Sequence, residues 1–204
     1  MTNANTRWVA LGWIKGAFGV RGEVRVIPSQ LPIARILPDE APESELPVDW
    51  LLKQPEWGLG KQSPPTLSVT VRSGRLHQDD LLVTFDGWEV RERIQSLAGQ
   101  TIWLPEGKLP DPGVDRHYWF RLIGCRVFAL PEGALPGMEQ PVESVGEGWQ
   151  EIGVVSDLLA TGSNDVLVVL QADGEERLLP VIRDVILAVD EAQHTIRVRL
   201  MPGL

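Results

Sequence analysis

Apolar residues in this chain come in short runs rich in valine, leucine, isoleucine and aromatic side chains, broken up by glycine, proline, asparagine and aspartate. Short runs of that composition are strand signals, and the residues between them are turn formers. In the first half Trp8–Leu11, Glu23–Ile27, Val48–Leu52, Leu67–Val71, Leu81–Phe85 and Thr101–Leu104 read as strands. Only Glu89–Ala98 departs: Val90, Ile94 and Leu97 fall at helical spacing, and Gly99 stands at the stop. Strand signals resume with Arg121–Leu130, Ile152–Leu159, Val166–Leu170, Glu176–Pro180, Val185–Val189 and Thr195–Leu200. The predicted fold class is mainly β: two small β-barrel domains joined by a short linker, with one short helix in the first domain. Residues 105–115 hold three prolines and two glycines and are the linker, leaving domains at 7–104 and 116–204.

Two stretches interrupt this pattern. Residues 38–65 carry six prolines and read as a long loop around the single strand Val48–Leu52. Residues 131–148 form a second loop rich in glycine, proline and glutamate. Between the first two strands, glycines stand at 12, 16, 19 and 22, dense enough to shape a loop with positive φ. A dinucleotide-binding glycine loop must lead into a helix, and here Val24, Val26 and Ile27 follow, so that function is excluded. No repeat of solenoid length is present.

Charge is distributed unevenly. Net charge is −9; residues 1–107 carry 11 Lys and Arg against 13 Asp and Glu, and residues 108–204 carry 8 against 15. The second half, at −7, attracts a basic protein and repels phosphate. Within the first half, Arg7, Lys15, Arg21 and Arg25 face only Glu23 across residues 7–25, which makes this local +3 the candidate phosphate-facing patch, with Lys15, Arg21 and Arg25 in it. A solvated strand-and-turn surface is the plainer alternative. No apolar run approaches the ~20 residues of a membrane-spanning helix. The polar start, residues 1–6, lacks a secretory pattern, so a cytoplasmic protein without membrane contact is expected.

Catalytic chemistry finds no support. The single Cys125 excludes an internal disulfide and reads as core filler. His77, His117 and His194 have no metal-ligand spacing, and nucleophile elbow, P-loop and paired-carboxylate patterns are missing. Neither a metal site nor a cofactor is expected, and no enzyme. The doublet Asp79-Asp80 reads as a turn, and Asn164 with Asp165 as suppliers of side-chain turn bonds. His117, Tyr118, Trp119 and Phe120 follow the linker directly. In an extended chain they cannot all enter one core, which leaves two roles open: exposed anchors for a partner, or a plug at the end of the barrel and its contact with the first domain.

Several of these segments, in order, resemble the bacterial RimM family of ribosome maturation factors, the small-subunit rRNA processing proteins. Gly12–Val26 resembles the family's N-terminal signature and Val90–Gly99 its following helix element. Tyr118–Gly124, Ile152–Asp157, Thr161–Leu167, Leu179-Pro180, Val189-Asp190 and Pro202–Leu204 resemble a PRC-barrel. The chain departs from the family at Phe18, often histidine, at His117, often tyrosine, and at Arg121, often aspartate. The resemblance implies a non-catalytic monomer that binds the immature 30S subunit near its head. It further implies contact with the basic small-subunit ribosomal protein nineteen and assistance to 16S rRNA processing. His117, Tyr118 and Trp119 are then the expected partner contacts. With that family in view the basic patch becomes rRNA-facing, through Lys15, Arg21 and Arg25; a β-barrel module binding rRNA directly is the alternative, and an rRNA-modifying enzyme a weaker third.

Overall fold

The computed structural model describes residues 6–19, 22–29, 33–35 (backbone), 49–130, 148–161 and 164–201. Along the chain run β1 (Trp8–Phe18), β2 (Glu23–Pro28), β3 (Ile33–Arg35), α1 (Asp49–Leu52), β4 (Glu56–Gly60), β5 (Leu67–His77), β6 (Asp80–Phe85), α2 (Arg91–Gln95) and β7 (Thr101–Pro105). A 3-10 turn at Glu106–Lys108 leads to β8 (Arg116–Tyr118), α3 (Trp119–Leu122), β9 (Arg126–Leu130) and β10 (Gln150–Ala160). The chain finishes with β11 (Asp165–Leu170), β12 (Glu176–Pro180), β13 (Ile186–Asp190) and β14 (Thr195–Arg199). It divides into two compact units, one from residues 1–31 and 45–111, the other from 32–44 and 112–204.

The first unit is a closed barrel in the order β1-β2-β6-β5-β4-β7. Ile14, Val24, Val26, Leu59, Leu81 and Ile102 fill it, together with Trp57 packed edge-on to Phe85 at 5.6 Å between ring centroids. The glycine-dense segment differs from expectation. Gly12 and Gly16 lie inside β1, each where its register shifts, against β7 and β2 respectively. A β-bulge of this kind bends a strand around a barrel and takes a residue of unusual φ. At Gly12, φ is +147° and a Cβ would stand 2.4 Å from the Ile27 carbonyl oxygen. Only residues 19–22 of the expected loop fall between the two strands.

Two further differences lie in the proline-rich span. Residues 49–52, predicted as a strand, form the helix α1, closed by the Asp49–Lys53 ion pair at 3.0 Å. Trp57 Nε1 donates to the Leu51 carbonyl at 3.3 Å, so this short turn serves the core indole rather than a ladder. Residues 56–60, predicted as loop, are the barrel strand β4, sandwiched between β5 and β7. Among the described residues the first unit thus holds two short helices and a 3-10 turn. In α2, Ile94 is buried, Val90 is the N-cap rather than a core residue, and Gly99 at φ +78° ends the turns that follow, as predicted.

In the second unit one sheet runs β12-β11-β10-β9-β14-β13, with β9 and β14 parallel and the other pairs antiparallel. All six strands and α3 contribute to one core, where Val127, Val169, Leu179, Ile196 and Val198 are buried, so the sheet must wrap around it. Cys125 is buried there and its thiol donates to the Arg121 carbonyl at 3.3 Å, in keeping with a filler role. The strand predicted over 121–130 begins only at Arg126; before it α3 and a turn at Gly124, φ +88°, reverse the chain. β3 pairs antiparallel with β8, Ile33 opposite Tyr118 and Arg35 opposite Arg116, and belongs to this unit although its sequence neighbours build the other. That division differs from the predicted boundaries 7–104 and 116–204 in the segment 32–44.

Candidate partner-binding surfaces

Local ion pairing decides what the basic patch of the first unit can offer. Arg25, on β2, pairs with Asp80 at the start of β6, and Asp80 is 8% exposed. The charge of Arg25 is therefore used to hold a buried carboxylate. Arg7 lies 3.6 Å from Glu106, and Arg75 pairs with Glu23 at 3.0 Å. Arg72 meets Asp86 at 2.6 Å and Glu89 at 3.1 Å. Its pKa is raised, first by the hydrogen bond to Asp86 and then by that to Glu89, so the guanidinium stays charged throughout any working range. Arg91 donates to the Gly19 carbonyl at 2.8 Å, and Gln95 Oε1 accepts from the Ala17 amide at 3.2 Å, which pins the β1–β2 turn onto α2. Of the three expected rRNA-facing residues, Lys15 is exposed on β1, Arg25 is engaged, and Arg21 lies outside the described residues.

In the second unit the aromatic group straddles the end of β8 and the start of α3, so its side chains do not alternate as in extended chain. Tyr118 is 0% exposed and stacks on Phe120 with centroids 5.5 Å apart at 19°. It offers no surface to a partner. The Arg121 guanidinium lies over both rings, 5.2 and 5.8 Å from their centroids, and bonds Glu191 at 3.1 Å. Glu191 also takes His117 Nδ1 at 2.6 Å, so one carboxylate ties β8 and α3 to the β13–β14 turn. Trp119 is half-buried against the core and its indole donates to Asp165 at 3.3 Å. Asp165 thus braces the indole, and the Thr161 hydroxyl bonds the Asn164 carbonyl nearby. His117 and Trp119 keep partial exposure; of the three expected contacts they are the two a partner could reach.

Comparison with known proteins places these units. Residues 41–109 match the model of the RimM N-terminal domain, and residues 119–204 that of the RimM PRC barrel domain. The "Ribosome maturation factor RimM" of Magnetococcus marinus is 37% identical, the alignment covering 97% of this chain and 96% of the relative. This chain belongs to the RimM family. RimM relatives from Geobacillus kaustophilus and Neisseria gonorrhoeae, also named ribosome maturation factors, are 31% and 33% identical. Those alignments cover 98% and 96% of this chain, and 98% and 95% of the relatives. A solved RimM structure from Pseudomonas aeruginosa is 28% identical, covers 97% of this chain and 100% of its own, and has a TM-score of 0.42. Family membership makes the closed barrel the RimM N-terminal domain and the wrapped six-stranded sheet its PRC barrel. No described helix is long and apolar enough to cross a membrane.

Proposed function

We propose that this RimM-family chain is a cytoplasmic, monomeric, non-catalytic factor that binds the immature 30S subunit near its head. It holds one assembly conformation through the basic ribosomal protein nineteen and so assists 16S rRNA processing. The observation that carries this is likeness to ribosome maturation factors along both units, over 97% of the chain. Charge supports a protein contact, since residues 108–204 sum to −7. A module gripping rRNA directly fits less well, because Arg7, Arg25, Arg72 and Arg75 are all paired with carboxylates of the same unit. Binding one assembly state more tightly than the next shifts their balance by that difference alone, so the factor leaves once the mature surface forms.

The test is affinity capture with the tagged full chain, with sedimentation against immature and mature small subunits. Enrichment of protein nineteen and precursor 16S rRNA, with preference for immature particles, is expected. Equal binding to mature subunits, or tight binding to naked rRNA with a steep salt dependence, would refute the proposal and favour direct RNA recognition.

A further inference from the structure

The first barrel carries, beside β1, β7 and β4, a cavity of about 530 Å³, within the roughly 300–1,000 Å³ of small-molecule sites. Strand alternation sets its lining. Val9 of β1, Ile102 and Leu104 of β7, and Trp57 and Leu59 of β4 are buried, so Trp8, Pro105, Glu56 and Gly58 point outward on three adjacent strands. Trp8 faces Pro105 and Gly58 faces Trp103, and continuing that register puts Glu56 on the far side of Pro105 from Trp8. Two strand spacings, about 10 Å, separate the indole's strand from the carboxylate's. Pro65 forms a wall over Gly58, where a Cβ would stand 2.5 Å from the proline ring. Lys108, at the end of the 3-10 turn after β7, completes the lining.

Three groups in this lining have bonding capacity that the fold does not use. The Trp57 and Trp103 indoles donate to the Leu51 and Gly60 carbonyls at 3.3 and 2.9 Å, whereas the half-buried Trp8 has neither a hydrogen bond to its indole nor a ring partner among the described residues. Among the described residues Glu56 is the one acid of the lining and Lys108 the one base; both are exposed and neither has an ion-pair partner. We propose that this cavity binds a guanine nucleotide, its base stacked on Trp8, its N1–H and N2–H groups donating to the Glu56 carboxylate, and its phosphate beside Lys108. A free nucleotide and an unpaired guanosine of RNA share that chemistry. Stacking accepts any base, so Glu56 selects. Guanine alone sets two adjacent donors on its Watson–Crick edge for one carboxylate; adenine and cytosine place a ring-nitrogen acceptor there, and uracil flanks its single donor with carbonyls. An added peptide strand is disfavoured because the barrel is closed, with β4 and β7 paired on both sides. A proline-rich peptide needs no strand edge, but it leaves Glu56 and Lys108 without a role. One base and one phosphate call on none of the arginines already paired in this unit, so the site stands apart from the function proposed above, and its failure leaves that reading intact.

Calorimetric titration of the full chain with GMP, AMP and guanosine tests this, using wild type, Trp8→Leu, Glu56→Gln and Lys108→Gln, with unchanged thermal midpoints verifying the fold. GMP is expected to bind about tenfold more tightly than AMP or better, and Glu56→Gln to collapse that preference while AMP binding stays. Trp8→Leu should weaken both nucleotides about tenfold. Lys108→Gln should bring GMP to the level of guanosine and abolish the shallow salt dependence, which for one phosphate contact has a slope of about −0.7. A short single-stranded RNA with one guanosine, and its adenosine counterpart, distinguish the source. Tighter binding of the guanosine RNA than of GMP assigns an RNA nucleotide, the reverse a free one, and either supports the site. Equal affinity for GMP and AMP, no binding of GMP or guanosine RNA by wild type, or variants that match wild type would overturn it. So would a proline-rich peptide that binds through Trp8 and is not displaced by GMP.

Discussion

Replacing Tyr118 with alanine separates packing from recognition. Its ring is fully buried and stacked on Phe120, with Arg121 above. Removing a buried aromatic ring costs about 3–5 kcal/mol, some of it from the cavity left behind. The lost stacking is worth roughly 0.5–1.5 kcal/mol of that cost. Taking about 4 kcal/mol, and about 4–8 °C per kcal/mol for a unit of this size, the PRC unit should melt about 15–30 °C lower. Differential scanning calorimetry of the full chain measures this, with the first barrel's transition as internal reference. Tyr118→Phe keeps the ring and should cost about 1 kcal/mol. Any loss of subunit binding in Tyr118→Ala then follows from an unfolded unit, whereas Trp119→Ala at the half-buried neighbour tests contact. A Tyr118→Ala variant melting within a few degrees of wild type, yet failing to bind, would refute the reasoning and return Tyr118 to the surface.

Other perturbations follow from single features. Gly153→Ala puts a Cβ 2.3 Å from the Leu170 carbonyl oxygen at φ +152°, and should destabilise the PRC unit by about 2–4 kcal/mol in urea titration. Asp80→Ala strips the partner from the part-buried Arg25 and should cost about 1–3 kcal/mol. Adding Arg25→Ala should recover part of that loss in a double-mutant cycle. Lys15→Glu is expected to leave the melting temperature alone; unchanged subunit binding at low salt would show that this face of the first barrel meets no phosphate.

What the sequence made legible follows from how each residue's environment registers in its neighbours. Val166–Leu170 is an uninterrupted apolar run and Leu81–Phe85 one broken only by Thr84, and both stand where expected. β1 was half hidden because two bulges break its alternation, at Gly12 and Gly16, the positions that looked like a loop. β4 was missed because two of its five residues are glycine and prolines lie on either side; it packs by letting Pro65 lie over Gly58. α1 has four residues, too few for a period to show. The candidate surfaces were less legible. Local charge counts made Arg25 look available, while its partner Asp80 lies 55 positions away.

The pairing of β3 with β8 imposes an order on synthesis. β3 leaves the ribosome making this protein long before its partner, since Arg35 precedes Arg116 by 81 positions (116 − 35). At about 5–20 residues per second, the strand waits roughly 4–16 seconds with its backbone donors and acceptors unpaired. The first barrel meanwhile completes itself once β7 reaches β1. A chain built this way finishes its N-terminal unit with a three-residue strand held in reserve, and rare codons between β7 and β8 would lengthen the interval in which that strand can find a wrong neighbour.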